Sequence, residues 1–311
     1  MMMGNNKFKY TEDNPLRVFT AFSGYDSQCM ALDRIGIPYT LVGWSEIDKN
    51  AIMAHNAVYP QYADRNYGDI QQIDWKQVPD FDLFTFSSPC QDFSSAGLQR
   101  GGQEGSGTRS SLLWECRKAI IEKKPKYLLL ENVKALVSKK FIGLFNKWLK
   151  ELEGYGYTNY WQVLNAKDYG VPQNRERVFC VSILGDHDIY HFPLPFPLEK
   201  RLKDVLEPEV DDKYVLSDTA IEGFLKHNLN HLAKGTGFLF KPKEVDLPEG
   251  GGKVANCLRV NSALCPTDNT IKERIRQYPT PCRQDREEER RICISDKGNG
   301  KENSSSVQSD G

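Results

Sequence analysis

Along this chain, short apolar runs alternate with polar turns. The period of the apolar positions switches between two and that of an amphipathic helix. Leu16 to Ala21 reads as a strand, Phe22 to Ser27 as the turn after it, and Gln28 to Ile35 as a helix. The rhythm repeats with a strand over Thr40 to Trp44 and a helix over Lys49 to Asn56. Gly68-Asp69-Ile70 lies near a third short strand, and Leu83 to Phe86 forms a fourth that stops at Ser87-Ser88-Pro89-Cys90-Gln91. Helical spacing returns over Ser110 to Glu122 and again over Lys139 to Glu153, the latter with a basic face of Lys139, Lys140, Lys147 and Lys150. Between these helices, Lys126 to Leu130 is an apolar strand ending in Glu131-Asn132-Val133. Tyr157 to Leu164 and Arg177 to Leu184 are two further strands. This alternation predicts an α/β fold, a parallel-rich sheet with helices on both faces.

Beyond Leu184 the rhythm breaks. Phe192-Pro193-Leu194-Pro195-Phe196-Pro197 is an extended linker, and Lys200 to Leu206 and Asp218 to His227 have the spacing of short helices. From Glu249 the chain is irregular, Lys272 to Arg291 is dense in charge, and the last residues, KGNGKENSSSVQSDG, have a disordered composition. Hydrophobic residues make up 39% of the 311 and charged residues 27%, with a formal net charge of −1. Any site for a polyanion must therefore be a local patch. No run reaches the roughly 18 apolar residues of a membrane span, and the polar N-terminus is not a secretory signal. The eight cysteines form no Cys-x-x-Cys pair, so no zinc site is expected, and they read as reduced thiols of a cytoplasmic protein. His187/His191 and His227/His231 are four apart but lack the His-Glu-x-x-His pattern of a metal site.

The chemistry-bearing residues gather at strand ends. Cys90 follows a buried strand, with Pro89 limiting the backbone before the sulfur; a buried thiol of this kind is more often only a packing group. Glu46, at the end of the second strand and about 20 residues after the glycine turn, stands where nucleoside-binding folds hold ribose hydroxyls, though a carboxylate there also stabilises the next helix. Asp69 alone reads as a turn residue. Glycines at 97, 101, 102, 105 and 107 mark the loop from Ser94 to Thr108 as one able to close over a substrate or as a plain connection. Glu131 ends an apolar strand, and Arg175 and Arg177, two apart, suit planar bidentate contacts or surface ion pairs.

Taken together, Ser88-Pro89-Cys90-Gln91, Glu131-Asn132-Val133 and Gln173-Asn174-Arg175-Glu176-Arg177 resemble, in order and spacing, three motifs of the DNA (cytosine-5) methyltransferases of bacterial and phage type. The resemblance covers roughly Leu16 to Leu206. It implies a Rossmann-like, S-adenosylmethionine-dependent sheet over residues 15–186, after a polar segment 1–14. A partial target-recognition region over 187–285 and a tail over 286–311 would follow. The implied reaction methylates carbon 5 of a cytosine flipped out of duplex DNA, through a covalent adduct. Cys90 would attack carbon 6, Glu131 would deliver a proton to ring nitrogen 3, Arg177 would contact the base carbonyl, and Arg175 would steady the thiolate or the DNA backbone. Phe22, Ser23, Gly24, Glu46, Ile47, Asp69, Ile70, Pro89 and Leu112 would line the site for S-adenosyl-L-methionine. Gln91, Ser94, Asn132 and Gln173 would lie toward the DNA. The resemblance also implies a monomer without metal, paired in a restriction-modification system with a cognate endonuclease or serving phage self-protection.

Two departures stand out. Asp26 occupies the second glycine of the family's Phe-x-Gly-x-Gly turn, and the family's closing Arg-x-Leu-Gln-Gly-Phe-Pro and Gly-Asn-Ser segments are not recognisable, as a truncation or frameshift would leave. An inactive DNA- or partner-binding remnant and a cytosine-5 methyltransferase acting on RNA are the alternatives these features leave open.

Overall fold

A computed structural model of the chain describes residues 10–89, 109–207, 217–234 and 255. The central strands arise where the apolar runs are shortest and most continuous. β1 (Leu16–Ala21) and β3 (Leu83–Phe86) are almost wholly buried and lie side by side in parallel. They sit inside a six-stranded sheet of order β2-β1-β3-β4-β6-β5, with β2 (Tyr39–Ser45), β4 (Tyr127–Val133), β5 (Tyr157–Asn165) and β6 (Glu176–Leu184). β2, β1, β3 and β4 are mutually parallel, while β6 runs antiparallel to both its neighbours, β4 and β5. The parallel-rich sheet expected from the alternation is present, with one reversed strand.

Helices cover both faces. On one side Leu16, Val18, Leu41 and Trp44 pack with Cys29 and Leu32 of α1 (Ser27–Ile35) and with Tyr59 beyond α2 (Lys49–Val58). On the other, Phe19, Phe84, Phe86, Leu128 and Leu130 meet Ile120 of α3 (Cys116–Lys123) and Phe145, Trp148 and Leu152 of α4 (Ile142–Gly154). The β1–β2 register shifts between Val18 and Phe19, so that Phe19 faces Gly43. A Cβ on Gly43 would come within 2.6 Å of the Tyr67 ring and 2.7 Å of the Phe19 ring, so glycine is required by packing rather than by backbone angle.

Several sequence expectations need correction. The third short strand near Gly68–Ile70 is a single bridge between Trp44 and Asn66, followed by a 3₁₀ turn, Ile70–Gln72, whose cap is Asp69 Oδ1 accepting from Gln71 N at 3.0 Å. An Asx cap of this sort offers the backbone an alternative to a sheet ladder. The helix expected over Ser110 to Glu122 is a 3₁₀ segment, Arg109–Glu115, before α3. Lys139 and Lys140 precede α4 instead of lying on it. Lys200 to Leu206 contains only a 3₁₀ turn, Leu202–Val205, whereas α5 (Asp218–Lys234) is longer than anticipated. Among the described residues no helix is long and apolar enough to cross a membrane.

Candidate active site and cofactor edge

The described candidate residues lie where parallel strands deliver their carboxyl ends, the edge at which open α/β sheets take ligands. After β1 the chain makes a strained turn. Phe22 and Asp26 both have positive φ, 55° and 66°, and Gly24 lies between them at 58°. Non-glycine residues in this region cost of order 1–2 kcal/mol each, and such strain clusters at ligand-binding turns. Asp26 satisfies the departure from glycine by capping. Its side chain is the N-cap of α1, accepting from Cys29 N at 3.4 Å and from Thr20 Oγ1 at 2.9 Å.

The second turn is built around Glu46. Its Oε2 accepts from Gly24 N at 3.0 Å, and its Oε1 accepts from Ile47 N at 2.8 Å and Asp48 N at 2.9 Å. Asn66 joins the third turn to it: its Oδ1 accepts from Glu46 N at 3.2 Å and Gly68 N at 2.9 Å, and its Nδ2 donates to the Glu46 carbonyl at 3.1 Å. Ser45 Oγ donates to the Gly68 carbonyl at 2.7 Å. Phe22 to Gly24, Glu46, Ile47 and Asp69 are thus drawn together by hydrogen bonds between three consecutive turns. Ile70 is buried below, and its 3₁₀ turn packs against the segment that carries half-buried Leu112. Asn66 was not expected from the sequence, because a lone Asn before Tyr-Gly gives no signal beyond that of a turn.

These residues suit a nucleoside cofactor. A Cβ at Gly24 would meet nothing within 4 Å among the described residues, so they leave open space beside its backbone. Ser23 Oγ is buried with no hydrogen-bond partner among the described residues. Glu46 Oε2 takes one N–H and keeps a lone pair for a further donor, while Ile47 exposes 68% of its surface next to it. An acceptor beside an apolar platform is what a ribose and its base require.

At the β3 and β4 ends, Asn132 is 3% exposed and donates through Nδ2 to the Ser88 carbonyl at 3.1 Å and to Ser88 Oγ at 3.4 Å. The segment leading into Pro89 is therefore tethered to β4. Cys90, Gln91 and Ser94 lie outside the described residues. Glu131 and Arg177 meet: Arg177 Nε is 3.1 Å from Glu131 Oε1, and Arg177 Nη1 donates to the Glu176 carbonyl at 2.8 Å. Both side chains are about four-fifths buried. Gln173 and Arg175 lie just outside β6. Arg175 N donates to Asn165 Oδ1 at 3.0 Å, and residues 172–174 pair with Ala255, whose N donates to the Pro172 carbonyl at 2.7 Å. No cluster of His, Cys, Asp and Glu able to hold a metal occurs among the described residues.

A profile of the family "C-5 cytosine-specific DNA methylase" matches residues 16–302. The chain belongs to this family of DNA-modifying enzymes. It is 42% identical over 257 residues to the type II methyltransferase M2.ScrFI of Lactococcus lactis subsp. cremoris, a match covering 66% of this chain and 71% of that one. It is 33% identical over 293 residues to the orphan methyltransferase M.SPRI of Bacillus phage SPR, covering 83% of this chain and 64% of that one. With the type II methyltransferase M.SsoII of Shigella sonnei, 39% identical, the match spans about half of the relative, 51%. The fold is also that of the Dnmt2 methyltransferase of S. pombe, at a TM-score of 0.66 and 20% identity over 90% of this chain and 82% of that one. The family membership, the enzyme class and the α/β fold expected from the motifs stand.

Proposed function

We propose that this chain transfers a methyl group from S-adenosylmethionine to carbon 5 of cytosine in duplex DNA, with the base flipped out of the helix. The observation that carries this reading is the Glu131–Arg177 pair, held at the sheet edge beside the tethered Ser88-Pro89 segment. In this reading Cys90, as thiolate, forms a bond to ring carbon 6 while Glu131 gives a proton to ring nitrogen 3. Arg177 binds the base carbonyl oxygen, withdrawing electrons from the ring and fixing Glu131 in place. The ring electrons then collect at carbon 5. S-adenosylmethionine, when bound, supplies an electrophilic methyl there, and its sulfur leaves with the bonding pair. Water takes the carbon-5 proton, the carbon–sulfur bond breaks with its pair returning to the Cys90 thiolate, and the nitrogen-3 proton returns to Glu131, which restores the aromatic base and the enzyme.

For the cofactor, Glu46 accepts from ribose hydroxyls, Ile47 and Phe22 flank the base, Asp69 and Ile70 close its far side, and Ser23 and Gly24 present the turn's polar groups. Pro89 and Leu112 border the methyl end. Residues 15–186 form the catalytic part in this reading. In this reading 187–285 is a partial target-recognition region, Gln91, Ser94, Asn132 and Gln173 serve the DNA side, and Arg175 steadies the thiolate or the DNA backbone; the bridge between Gln173 and Ala255 supports setting the two segments together.

The test is a covalent trap. A kilobase duplex made with 5-fluorocytosine in place of cytosine blocks the final elimination, because fluorine cannot leave as a cation. A protein–DNA adduct stable in denaturant, dependent on S-adenosylmethionine and lost in Cys90→Ala, is the expected result. No adduct with the duplex, or an adduct only with fluorinated transfer RNA, overturns the reading.

A further inference from the structure

Beneath the two cofactor turns lies a buried polar contact that the reaction above does not use. His55 of α2 is fully buried, stacked on Trp44 with ring centroids 3.7 Å apart and planes 19° from parallel. Its Nε2 lies 3.5 Å from Oδ2 of Asp26, which is also fully buried and receives Thr20 Oγ1 at 2.9 Å. Neither ring nitrogen of His55 has a hydrogen-bond partner among the described residues, so its approach to Asp26 is a close polar contact and not a formed hydrogen bond. Asp26 already accepts from Thr20 and Cys29 N, whereas the buried His55 ring, lying between Trp44 and Tyr59, has only the Asp26 carboxylate to offset the cost of burying its nitrogens.

The location gives the contact its consequence. Asp26 ends the β1–α1 turn, and its backbone N donates to the Ser23 carbonyl at 2.8 Å. α2 begins at the Asp48 cap, two residues after Glu46, and His55 lies two turns along it. Above, the same two turns are joined by Gly24 N and Glu46 Oε2 at 3.0 Å. The β1–α1 and β2–α2 turns are therefore braced twice, once at the cofactor surface and once from below through Asp26 and His55.

We infer that Asp26, Thr20 and His55 are positioning residues for the cofactor, setting the separation of the Ser23-Gly24 turn and Glu46. Aspartate at 26 is then more than a tolerated replacement for glycine: it supplies a side-chain acceptor that glycine lacks. The inference rests on reading these turns as the S-adenosylmethionine site.

Calorimetric binding of S-adenosylhomocysteine tests both, with the full chain. Asp26→Gly keeps the backbone at ease with positive φ and removes the acceptor; it is expected to bind roughly tenfold more weakly. His55→Phe keeps a ring on Trp44 and removes the nitrogens; a loss of about fivefold is expected. In the double variant the loss should stay near that of Asp26→Gly alone and not reach the roughly 50-fold product of the singles. In turnover, the KM for S-adenosylmethionine should rise with no matching change in the KM for DNA, which a general loss of stability would not do. Thr20→Val, an isosteric loss of one donor, carries the same comparison if either other variant fails to fold. Binding by Asp26→Gly as tight as wild type, or a multiplicative double variant, overturns the inference alone. A wild-type chain that binds no S-adenosylhomocysteine overturns the cofactor reading with it.

Discussion

Asn132→Ala should uncouple the Pro89 segment from β4. The wild-type amide makes two contacts to Ser88, at 3.1 Å and 3.4 Å, and its Oδ1 accepts from Val133 N at 2.9 Å. Ser88 is 3% exposed, so its carbonyl has no ready access to water once the amide is gone. An abandoned buried acceptor costs about 1–3 kcal/mol, and loss of the Val133 contact brings the expected total to about 2–3 kcal/mol. At a urea dependence of roughly 2–3 kcal/mol/M this lowers the unfolding midpoint by about 1 M. The larger effect should be on chemistry. A displacement of about 1 Å at a reacting group can slow a reaction on the order of 10²-fold. The assay pairs urea unfolding with the rate of 5-fluorocytosine adduct formation per folded molecule. Asn132→Asp, with the same shape but an acceptor facing the Ser88 carbonyl, should be worse than Asn132→Ala on both measures. Ser88→Ala removes only the longer contact and should cost less than about 1 kcal/mol. A trapping rate within threefold of wild type in folded Asn132→Ala would refute the positioning role, even if stability fell as expected.

Three other outcomes are expected. Glu131→Gln should slow adduct formation by about 10² or more while leaving the unfolding midpoint nearly unchanged, because its partner Arg177 can still bond to a neutral amide oxygen. Gly43→Ala should lower stability by about 1–3 kcal/mol in urea, since the added methyl meets the Phe19 and Tyr67 rings. Cys29, Cys116 and Cys180 are buried, and burial pushes all three thiols up, Cys180 from 9.0 to about 12. They should resist alkylation at pH 8 until the chain is unfolded. Folding favours the neutral thiol over the thiolate, so the stability tied to Cys180 is full below pH 9.0 and is lost as the pH rises from there through about 12; alkaline melting of Cys180→Ala against wild type checks it.

What the sequence revealed divides along a physical line. β1 and β3 begin and end at the residues expected, because each is a short apolar run closed by small polar residues. Glu131-Asn132-Val133 was placed at a strand edge for the same reason. A short strand was expected near Gly68-Asp69-Ile70, and only the turn reading of Asp69 stands, since its side-chain cap on Ile70–Gln72 decides the matter and has no signature in apolar spacing. Asp26 was seen only as a departure from glycine. Its cap reaches Cys29 N only three positions on, but its contact with His55 joins residues 29 positions apart, which no local pattern encodes. The tether from Asn132 to Ser88, across 44 positions, is of the same kind.

The reversal of β6 was equally hidden, yet the proposed chemistry depends on it. Apolar alternation says that Arg177 to Leu184 is a strand but not which way it runs. Run parallel, the strand would carry Arg177 to the amino edge of the sheet, far from Glu131. Antiparallel to β4, it pairs Arg177 with Val133 and Phe179 with Glu131. Glu131 and Arg177 then become diagonal neighbours on one face, within reach of two long side chains. The register is fixed from the opposite face, where Cys180 pairs with Leu130 and Val178 with Asn132, all nearly or fully buried. A slip of one residue would expose Val178 and Cys180 and turn Arg177 away. Two apolar positions that touch no substrate therefore hold the guanidinium against the acid. Val178→Asp, which penalises the native register without touching Glu131 or Arg177, should lose adduct formation along with stability, whereas Val178→Ile should keep both.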